Sequence, residues 1–131
     1  AAVDAYVGQL TELLERFGLA GHAAQSAANL PEGGRKLRDV AMSFVLQPRL
    51  LLMDDPTSGV SAKDKFAVMD TVMSALAERG VTTIFIEHDM EIVERYARRA
   101  VAFAGGRIIA DGDVSSVLSA PEVRRSVLGE D

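Results

Sequence analysis

Apolar residues recur at steps of three and four in the first third of the chain, a spacing that predicts two amphipathic helices. In the first helix they form one continuous stripe made of Val3, Tyr6, Val7, Leu10, Leu13, Leu14 and Phe17. Gly18 follows at the place where a left-handed residue would end that helix. The second helix is predicted to begin near Pro31, because proline fits a first helical turn, and to end before Pro48.

From residue 49 onward the pattern changes to short apolar runs separated by a helical segment. The runs 49–54 and 81–87 are apolar on both faces and predict buried parallel strands. The segment 61–79 between them has the spacing of a helix. Strand–helix–strand order predicts an α/β fold with a right-handed connection.

The rest of the chain predicts smaller elements. We expect a short helix over 89–97, a hairpin that turns at Gly105 and Gly106, and two short helices near the C-terminus. The chain is expected to divide into a helical subdomain, residues 1–48, and an α/β part, residues 49–131.

Composition excludes several classes of function. The chain has 131 residues and a formal charge of −5, so broad contact with a nucleic-acid backbone is not expected. It contains no cysteine, which excludes disulfides and thiol chemistry. No apolar run approaches the ~20 residues that a membrane-spanning helix needs, and we expect a cytoplasmic chain.

Polar residues follow both predicted strands. Asp54 and Asp55 end the first run, and Glu87, His88 and Asp89 end the second. Either group alone would more often be a turn or a helix cap. Because parallel strands present their carboxyl ends at one edge of a sheet, we expect Asp54 and His88 to lie side by side there. Two such groups at one edge favour a functional site over a charged loop.

These segments resemble a known family. The stretch "LLLMDDPTSGVSAKD" resembles the Walker B segment and D-loop of ATP-binding cassette (ABC) ATPases, and "IFIEHDM" resembles their switch histidine. The stretch "NLPEGGRKLRDVAMSFVLQPRLLLMDDP" has the layout of the signature motif, its helix and the next strand. The wording "IEHDM" and the ending "PEVRRSVLGED" are most similar to ATPase subunits of branched-chain amino acid importers.

The resemblance implies a fold and specific roles. The fold would be a P-loop NTPase-like parallel sheet flanked by helices, and the cofactors would be ATP and Mg²⁺. Asp54 would hold Mg²⁺, Asp55 would orient and deprotonate the attacking water, and His88 would reach the γ-phosphate. The signature segment that faces a nucleotide on the opposite subunit would be Leu30, Pro31, Glu32, Gly33 and Gly34. The D-loop would cross the dimer interface and contain Ser58, Gly59 and Ser61.

The sequence departs from the family pattern in ways that bear on activity. No G-x-x-x-x-G-K-[ST] loop occurs in it, so the chain resembles only the C-terminal half of an ATPase domain and is expected to be a fragment or the product of a truncated gene. Asp55 stands where the family keeps a longer glutamate. Pro31 stands where the family's signature motif keeps a serine, so the hydroxyl and the amide donor of that serine are absent. Glu32 brings a negative charge towards the place of the triphosphate. Feeble ATP turnover is therefore expected even in a complete domain.

The leading hypothesis is the C-terminal portion of an ABC importer ATP-binding subunit that couples ATP binding and hydrolysis to solute import, with branched-chain amino acids as the expected solute. Its partners would be membrane-spanning permease subunits and a second ATPase subunit, at the inner face of the cell membrane. The alternative is a non-catalytic interaction module or remnant that docks on a membrane or ATPase partner. A DNA-maintenance ATPase is disfavoured because heptad insertions are absent. A receiver-type domain would not explain the helical first third.

Overall fold

The computed structural model describes residues 1–130. The chain forms two compact units, the first from Ala1 to Ile86 and the second from Glu87 onward. The first unit contains the helices α1 (Ala2–Arg16), α2 (Glu32–Phe44) and α3 (Lys65–Glu78), the strands β1 (Leu50–Asp54) and β2 (Thr82–Ile86), and two 3₁₀ turns at Ala20–His22 and Ala27–Asn29.

Helix α1 confirms the first predicted helix and its end. Phe17 follows its last residue, and Gly18 has a φ of 68°, the left-handed conformation that glycine adopts without steric cost. Only the second half of the apolar stripe is buried. Leu13 and Phe17 lie in the core, whereas Val3 at the start of α1 is 73% exposed.

The core of the first unit joins all three helices to the strand pair. The ring of Phe17 meets the ring of Phe44 on α2 edge to face, with centroids 5.5 Å apart. Met53 of β1 and Leu76 of α3 belong to the same cluster of buried residues. The first two helices therefore share their core with the strand–helix–strand segment. The expected boundary between a helical subdomain and an α/β part, at residues 48 and 49, stays a prediction.

Strands β1 and β2 pair in parallel, as predicted, but the prediction that they are buried on both faces is wrong. The register joins Leu52 to Ile84 and Asp54 to Ile86. The inner face, which includes Met53, packs against the core, whereas Leu52 is 67% exposed on the outer face. The apolar character of both faces predicted two covering layers, and the described residues of this unit supply one.

Helix α3 begins four residues later than predicted. The Asp64 amide donates to Ser61 Oγ at 3.2 Å, and Ser61 Oγ donates to Asp64 Oδ2 at 2.7 Å. These bonds hold residues 61–64 in a turn, and the helix starts at Lys65. On its inner side α3 buries Val68, Met69, Val72, Ala75 and Leu76.

The second unit confirms the predicted helix, hairpin and terminal helices. It contains α4 (Met90–Tyr96), β3 (Arg99–Ala104), β4 (Arg107–Asp113), α5 (Val114–Ser119) and α6 (Pro121–Ser126). Strands β3 and β4 are antiparallel, and the link residues Gly105 and Gly106 both have positive φ, as the tight hairpin turn requires. Ala102, Val117 and Val123 form its small core. Among residues 1–130, no helix combines the length and the apolar character needed to cross a bilayer.

Helix α5 is capped by a carboxylate that makes the stability of the second unit depend on pH. Asp113 accepts bonds from the hydroxyls of Ser115 and Ser116, each at 2.7 Å, and from the Ser116 amide at 3.1 Å. The Ser115 hydroxyl is the largest of the causes that lower the pKa of Asp113 from 3.8 to about 2. These bonds favour the ionised form, so they stabilise the fold fully above pH 3.8 and lose that effect as the pH falls towards 2.

We therefore expect Asp113→Ala to lower the urea midpoint of the chain at neutral pH and to have a much smaller effect near the folded-state pKa. Circular dichroism of both proteins across an acid series measures the difference. A midpoint difference that does not change with pH would contradict the assignment of the stabilisation to the ionised cap.

Candidate functional site

Asp54 is the last residue of β1 and lies at the carboxyl end of the parallel pair. Its Cα partner is Ile86, the last residue of β2, so both strands end at the same level. The Asp54 side chain is exposed. An exposed carboxylate at the end of a parallel strand is the kind of oxygen ligand that Mg²⁺ takes together with phosphate oxygens and water. The residue thus fits the metal role that the resemblance implies.

Asp55 turns the chain away from the sheet while its backbone stays attached to β2. Its amide donates to the Ile86 carbonyl at 2.9 Å, and its own carbonyl accepts from the Ser58 amide at 3.0 Å. Its φ is 48°, a left-handed value that aspartate tolerates better than most side chains. The half-buried Asp55 is therefore held at a fixed place one residue beyond Asp54.

Lys36 is a residue of this region that the sequence analysis missed. Its ammonium donates to the Asp55 carbonyl at 3.4 Å. Together with Asp39 and Asp54 it lines a cavity of about 190 Å³ that also borders α3. The signal in the sequence was helical spacing, since Lys36 follows Gly33 by three positions and shares a helix face with it. Lys36 ties helix α2 to the loop that begins at Asp55.

The segment Leu30–Gly34 forms the start of α2 and is held by an arginine that the sequence analysis also missed. Leu30 is buried, and Pro31 precedes the first residue of the helix, as predicted. Arg35 donates through Nε to the Leu30 carbonyl at 3.0 Å and through Nη2 to the Ala28 carbonyl at 3.1 Å. These two bonds fix the direction in which the chain enters the helix.

Gly33 has a packing reason to be a glycine. A methyl group on it would lie 3.1 Å from Cγ2 of Val68 on α3, which is tighter than an ordinary contact, and 3.9 Å from Cγ1 of Val60. The start of α2 thus approaches α3 closely at this point. The predicted role of Gly33 and Gly34 in admitting a nucleotide from an opposite subunit stays a prediction.

Glu32 lies against the predicted D-loop. A methyl group on Gly59 would be 3.0 Å from Cγ of Glu32, and Gly59 has a φ of 75°. The Glu32 carboxylate also lies 3.6 Å from Nη1 of Arg35, in a half-exposed ion pair. The first unit therefore brings the predicted signature segment and the predicted D-loop together. In this arrangement Arg35 offsets part of the charge that Glu32 brings.

The predicted D-loop residues lie on a tight turn between β1 and α3. The Val60 amide donates to the Thr57 carbonyl at 3.0 Å, and Thr57 is buried beneath the turn. Ser58 and Gly59 are exposed at its tip. Ser61 uses its hydroxyl in the turn before α3, and the residue that precedes the helix is Asp64. The exposed tip belongs to no helix or strand, and its position suits contact with another protein surface.

His88 belongs to the second unit, where it is exposed and lines a cleft of about 570 Å³. Glu94, Ser115 and Arg124 line the same cleft. The neighbouring Asp89 caps α4 by accepting from the Glu91 amide at 3.1 Å. The expected juxtaposition of His88 and Asp54 joins residues of different units and stays a prediction.

Comparison with known proteins identifies relatives of the chain. No protein-family model matches the chain. The phosphonates import ATP-binding protein PhnC of Bordetella parapertussis is 36% identical over 102 residues, which cover 78% of this chain and 40% of that protein. The high-affinity branched-chain amino acid transport ATP-binding protein LivG of Escherichia coli is 32% identical over 117 residues, 89% of this chain and 46% of that protein.

Solved structures show the same relationship. The ADP conformation of MJ1267, an ATP-binding cassette of an ABC transporter, superimposes with a TM-score of 0.85 at 29% identity over 95% of this chain and 50% of that chain. The cbiO1 structure from Clostridium perfringens, part of the ABC transporter complex cbiONQ, gives 0.78 at 27% identity over 90% of this chain and 47% of that chain. The chain thus spans about half the length of these relatives. By its motifs, its sequence relatives and its fold, it belongs to the ABC ATPases and corresponds to the C-terminal half of their nucleotide-binding domain.

Proposed function

We propose that the chain is the C-terminal portion of an importer ATP-binding subunit that couples ATP binding and hydrolysis to the uptake of a small solute. In it Asp54 holds Mg²⁺, Asp55 orients the attacking water and His88 stabilises charge on the γ-phosphate. The observation that carries the proposal is the parallel β1–β2 pair that ends at Asp54, followed by a loop that β2 and Lys36 hold in place.

The proposed partners follow from the exposed segments. The D-loop tip at Ser58 and Gly59, with Glu32 packed against it, would face a second ATPase subunit across a dimer interface. Permease subunits would recruit the assembly to the inner face of the cell membrane. For the solute we propose a branched-chain amino acid, since the match to LivG covers 89% of this chain.

The chain contains only some of the residues that an ATP site needs. The residues that would hold Mg²⁺ and the attacking water are present, but the sequence has no glycine-rich lysine loop to cradle the phosphates. When bound in a complete domain, Mg²⁺ would neutralise charge on the β- and γ-phosphates. The chain alone is therefore expected to bind ATP weakly or not at all.

A chimera tests the metal role. The chain is joined to the P-loop half of E. coli LivG, and ATP binding is titrated with and without Mg²⁺. Asp54→Asn should weaken Mg²⁺-dependent ATP binding on the order of tenfold or more, because the ligand loses its charge. It should leave Mg²⁺-free binding nearly unchanged.

Asp39→Asn serves as the matched control, since Asp39 lines the same cavity from helix α2 but does not stand at a strand end. Its Mg²⁺ dependence should equal that of the unaltered chimera. Equal Mg²⁺ dependence in all three proteins would overturn the assignment of Asp54.

A further inference from the structure

Lys36 of helix α2 reaches across a gap to the loop that follows β1. Its ammonium donates to the Asp55 carbonyl at 3.4 Å. The gap is the cavity of about 190 Å³ that Lys36 lines together with Asp39 and Asp54. Because the bond crosses a cavity and not a packed interface, Lys36 serves mainly as a polar link between the helix and the loop. Such a link suits a role in placing Asp55 better than a role in building the core.

The backbone conformation of Asp55 depends on bonds of this kind. Its φ of 48° is a left-handed value, which persists in a residue other than glycine where the surrounding structure fixes it. The Asp55 amide donates to the Ile86 carbonyl at 2.9 Å, and the Asp55 carbonyl accepts from the Ser58 amide at 3.0 Å. These two bonds come from the strand pair and the turn, whereas the bond from Lys36 comes from α2. A shift of the Asp55 carbonyl changes the direction of its carboxylate.

Helix α2 links Lys36 to the predicted signature segment. Gly33 precedes Lys36 by three residues, which is about 4.5 Å along the helix axis. A methyl group on Gly33 would lie 3.1 Å from Cγ2 of Val68, so the start of α2 lies closely against α3. A displacement at the start of this helix is therefore carried along its axis to Lys36.

We propose that Lys36 is a positioning residue that sets the Asp55 carboxylate according to the position of α2. This rests on the proposed function, in which α2 faces the nucleotide of the opposite subunit while Asp55 orients water at the nucleotide of its own subunit. Lys36 then makes hydrolysis at one site depend on the contact made at the other. One bond suffices for this, because a misplacement of ~1 Å at a reacting group costs on the order of 10²-fold in rate.

The competing role for Lys36 is charge compensation. Lys36 lines the same cavity as Asp54, so its ammonium would then act by offsetting the charge of the proposed magnesium ligand. The two roles predict different effects on Mg²⁺. Removal of a neighbouring cation strengthens Mg²⁺ binding to a carboxylate, whereas release of the Asp55 carbonyl leaves Mg²⁺ binding unchanged.

Amide hydrogen exchange on the chain alone tests the bond. The Ser58 amide donates to the same Asp55 carbonyl, so its exchange reports how firmly that carbonyl is held. Lys36→Met keeps the apolar stem but removes the donor, and it should speed exchange at Ser58 by about threefold or more. The matched control is Arg38→Met, which removes a cation of the same helix that pairs with Asp39. It should change exchange at Ser58 by less than about 1.5-fold. The urea midpoints of both variants should match that of the unaltered chain.

A double-mutant cycle tests the dependence on α2. The methyl group of Gly33→Ala presses on Val68 and shifts the start of the helix, which should alter exchange at Ser58 in the otherwise unaltered chain. In the Lys36→Met background the same substitution should have no further effect, because the bond that carries the shift is gone. Additive effects of the two substitutions would show that α2 acts on the loop by another route and would overturn the proposal.

Turnover by the chimera with the P-loop half of E. coli LivG tests the consequence for hydrolysis. Lys36→Met should lower phosphate release at saturating Mg²⁺ and ATP by about tenfold, while the affinity for Mg²⁺-ATP changes by less than about twofold. Lys36→Arg keeps a cationic donor, so its rate should stay within about threefold of that of the unaltered chimera. Arg38→Met should match the unaltered chimera in both quantities.

Each outcome decides the proposal. Unchanged exchange at Ser58 in Lys36→Met would overturn it. A tighter affinity of Lys36→Met for Mg²⁺-ATP with an unchanged rate would assign Lys36 to charge compensation and also overturn it. Faster exchange at Ser58 together with an unaltered chimera that hydrolyses no ATP would uphold the positioning of Asp55 and count against the proposed function.

Discussion

Phe44→Ala is expected to destabilise the isolated chain by about 3–5 kcal/mol, a large share of the ~5–15 kcal/mol that holds a domain together. Phe44 is 1% exposed and its ring meets Phe17 at 5.5 Å. The guanidinium of Arg79 lies 5.3 Å above the same ring. The substitution thus removes an aromatic pair, a cation–π contact and the packing between α1 and α2.

Urea unfolding followed by circular dichroism measures this effect. Leu46→Ala is the matched control, because Leu46 lies two residues further along the chain and is 84% exposed. Its free energy of unfolding should stay within about 0.5 kcal/mol of the unaltered chain. Equal loss at both positions would mean that the first unit does not depend on the aromatic contact between α1 and α2.

Elements set by local sequence could be predicted well. Gly18 ended α1 and the pair Gly105–Gly106 formed the hairpin turn, because each needs positive φ at a particular place. Strand β1 was predicted from its apolar run and paired with β2 as expected. Local signals sufficed where a single residue or a short run decides the conformation.

Burial could not be predicted in the same way, because it depends on what else is present. Leu52 and Met53 are neighbours in one apolar run, yet Leu52 is 67% exposed and Met53 is 8% exposed. The run gave no sign that the described part of the first unit covers one face only. In the same way, the apolar start of α1 predicted a buried stripe, but Val3 and Val7 are more than half exposed.

The candidate site shows the same division between local and long-range information. Asp54 and Asp55 were found from their position after a strand, whereas the turn that Ser61 makes before α3 was predicted to be part of the helix. The contact of Glu32 with Gly59 and the bond from Lys36 to Asp55 join segments about 20 or more positions apart. Such contacts are fixed by the packing of α2 against β1 and α3, which no spacing rule specifies.

The second large effect is expected from Asp55→Glu in the chimera with a P-loop half. The ATPase rate of this variant should rise by on the order of 10²-fold, because the side chain gains ~1.5 Å of reach towards the attacking water. The backbone opposes this gain. Asp55 has a φ of 48°, where aspartate and asparagine are several-fold favoured. We therefore expect the same substitution to reduce the stability of the isolated chain by up to about 1 kcal/mol.

Asp55→Asn separates the two effects. It keeps a side chain suited to positive φ, so the urea midpoint should not move, but it removes the carboxylate and should abolish the remaining turnover. Phosphate release by the three chimeras, measured with saturating ATP and Mg²⁺, should be fastest for Asp55→Glu, slower for the unaltered chimera and slowest for Asp55→Asn. Equal rates for the unaltered chimera and Asp55→Glu would show that reach to the water does not limit hydrolysis. If turnover persisted in Asp55→Asn, the general base would have to be a different residue.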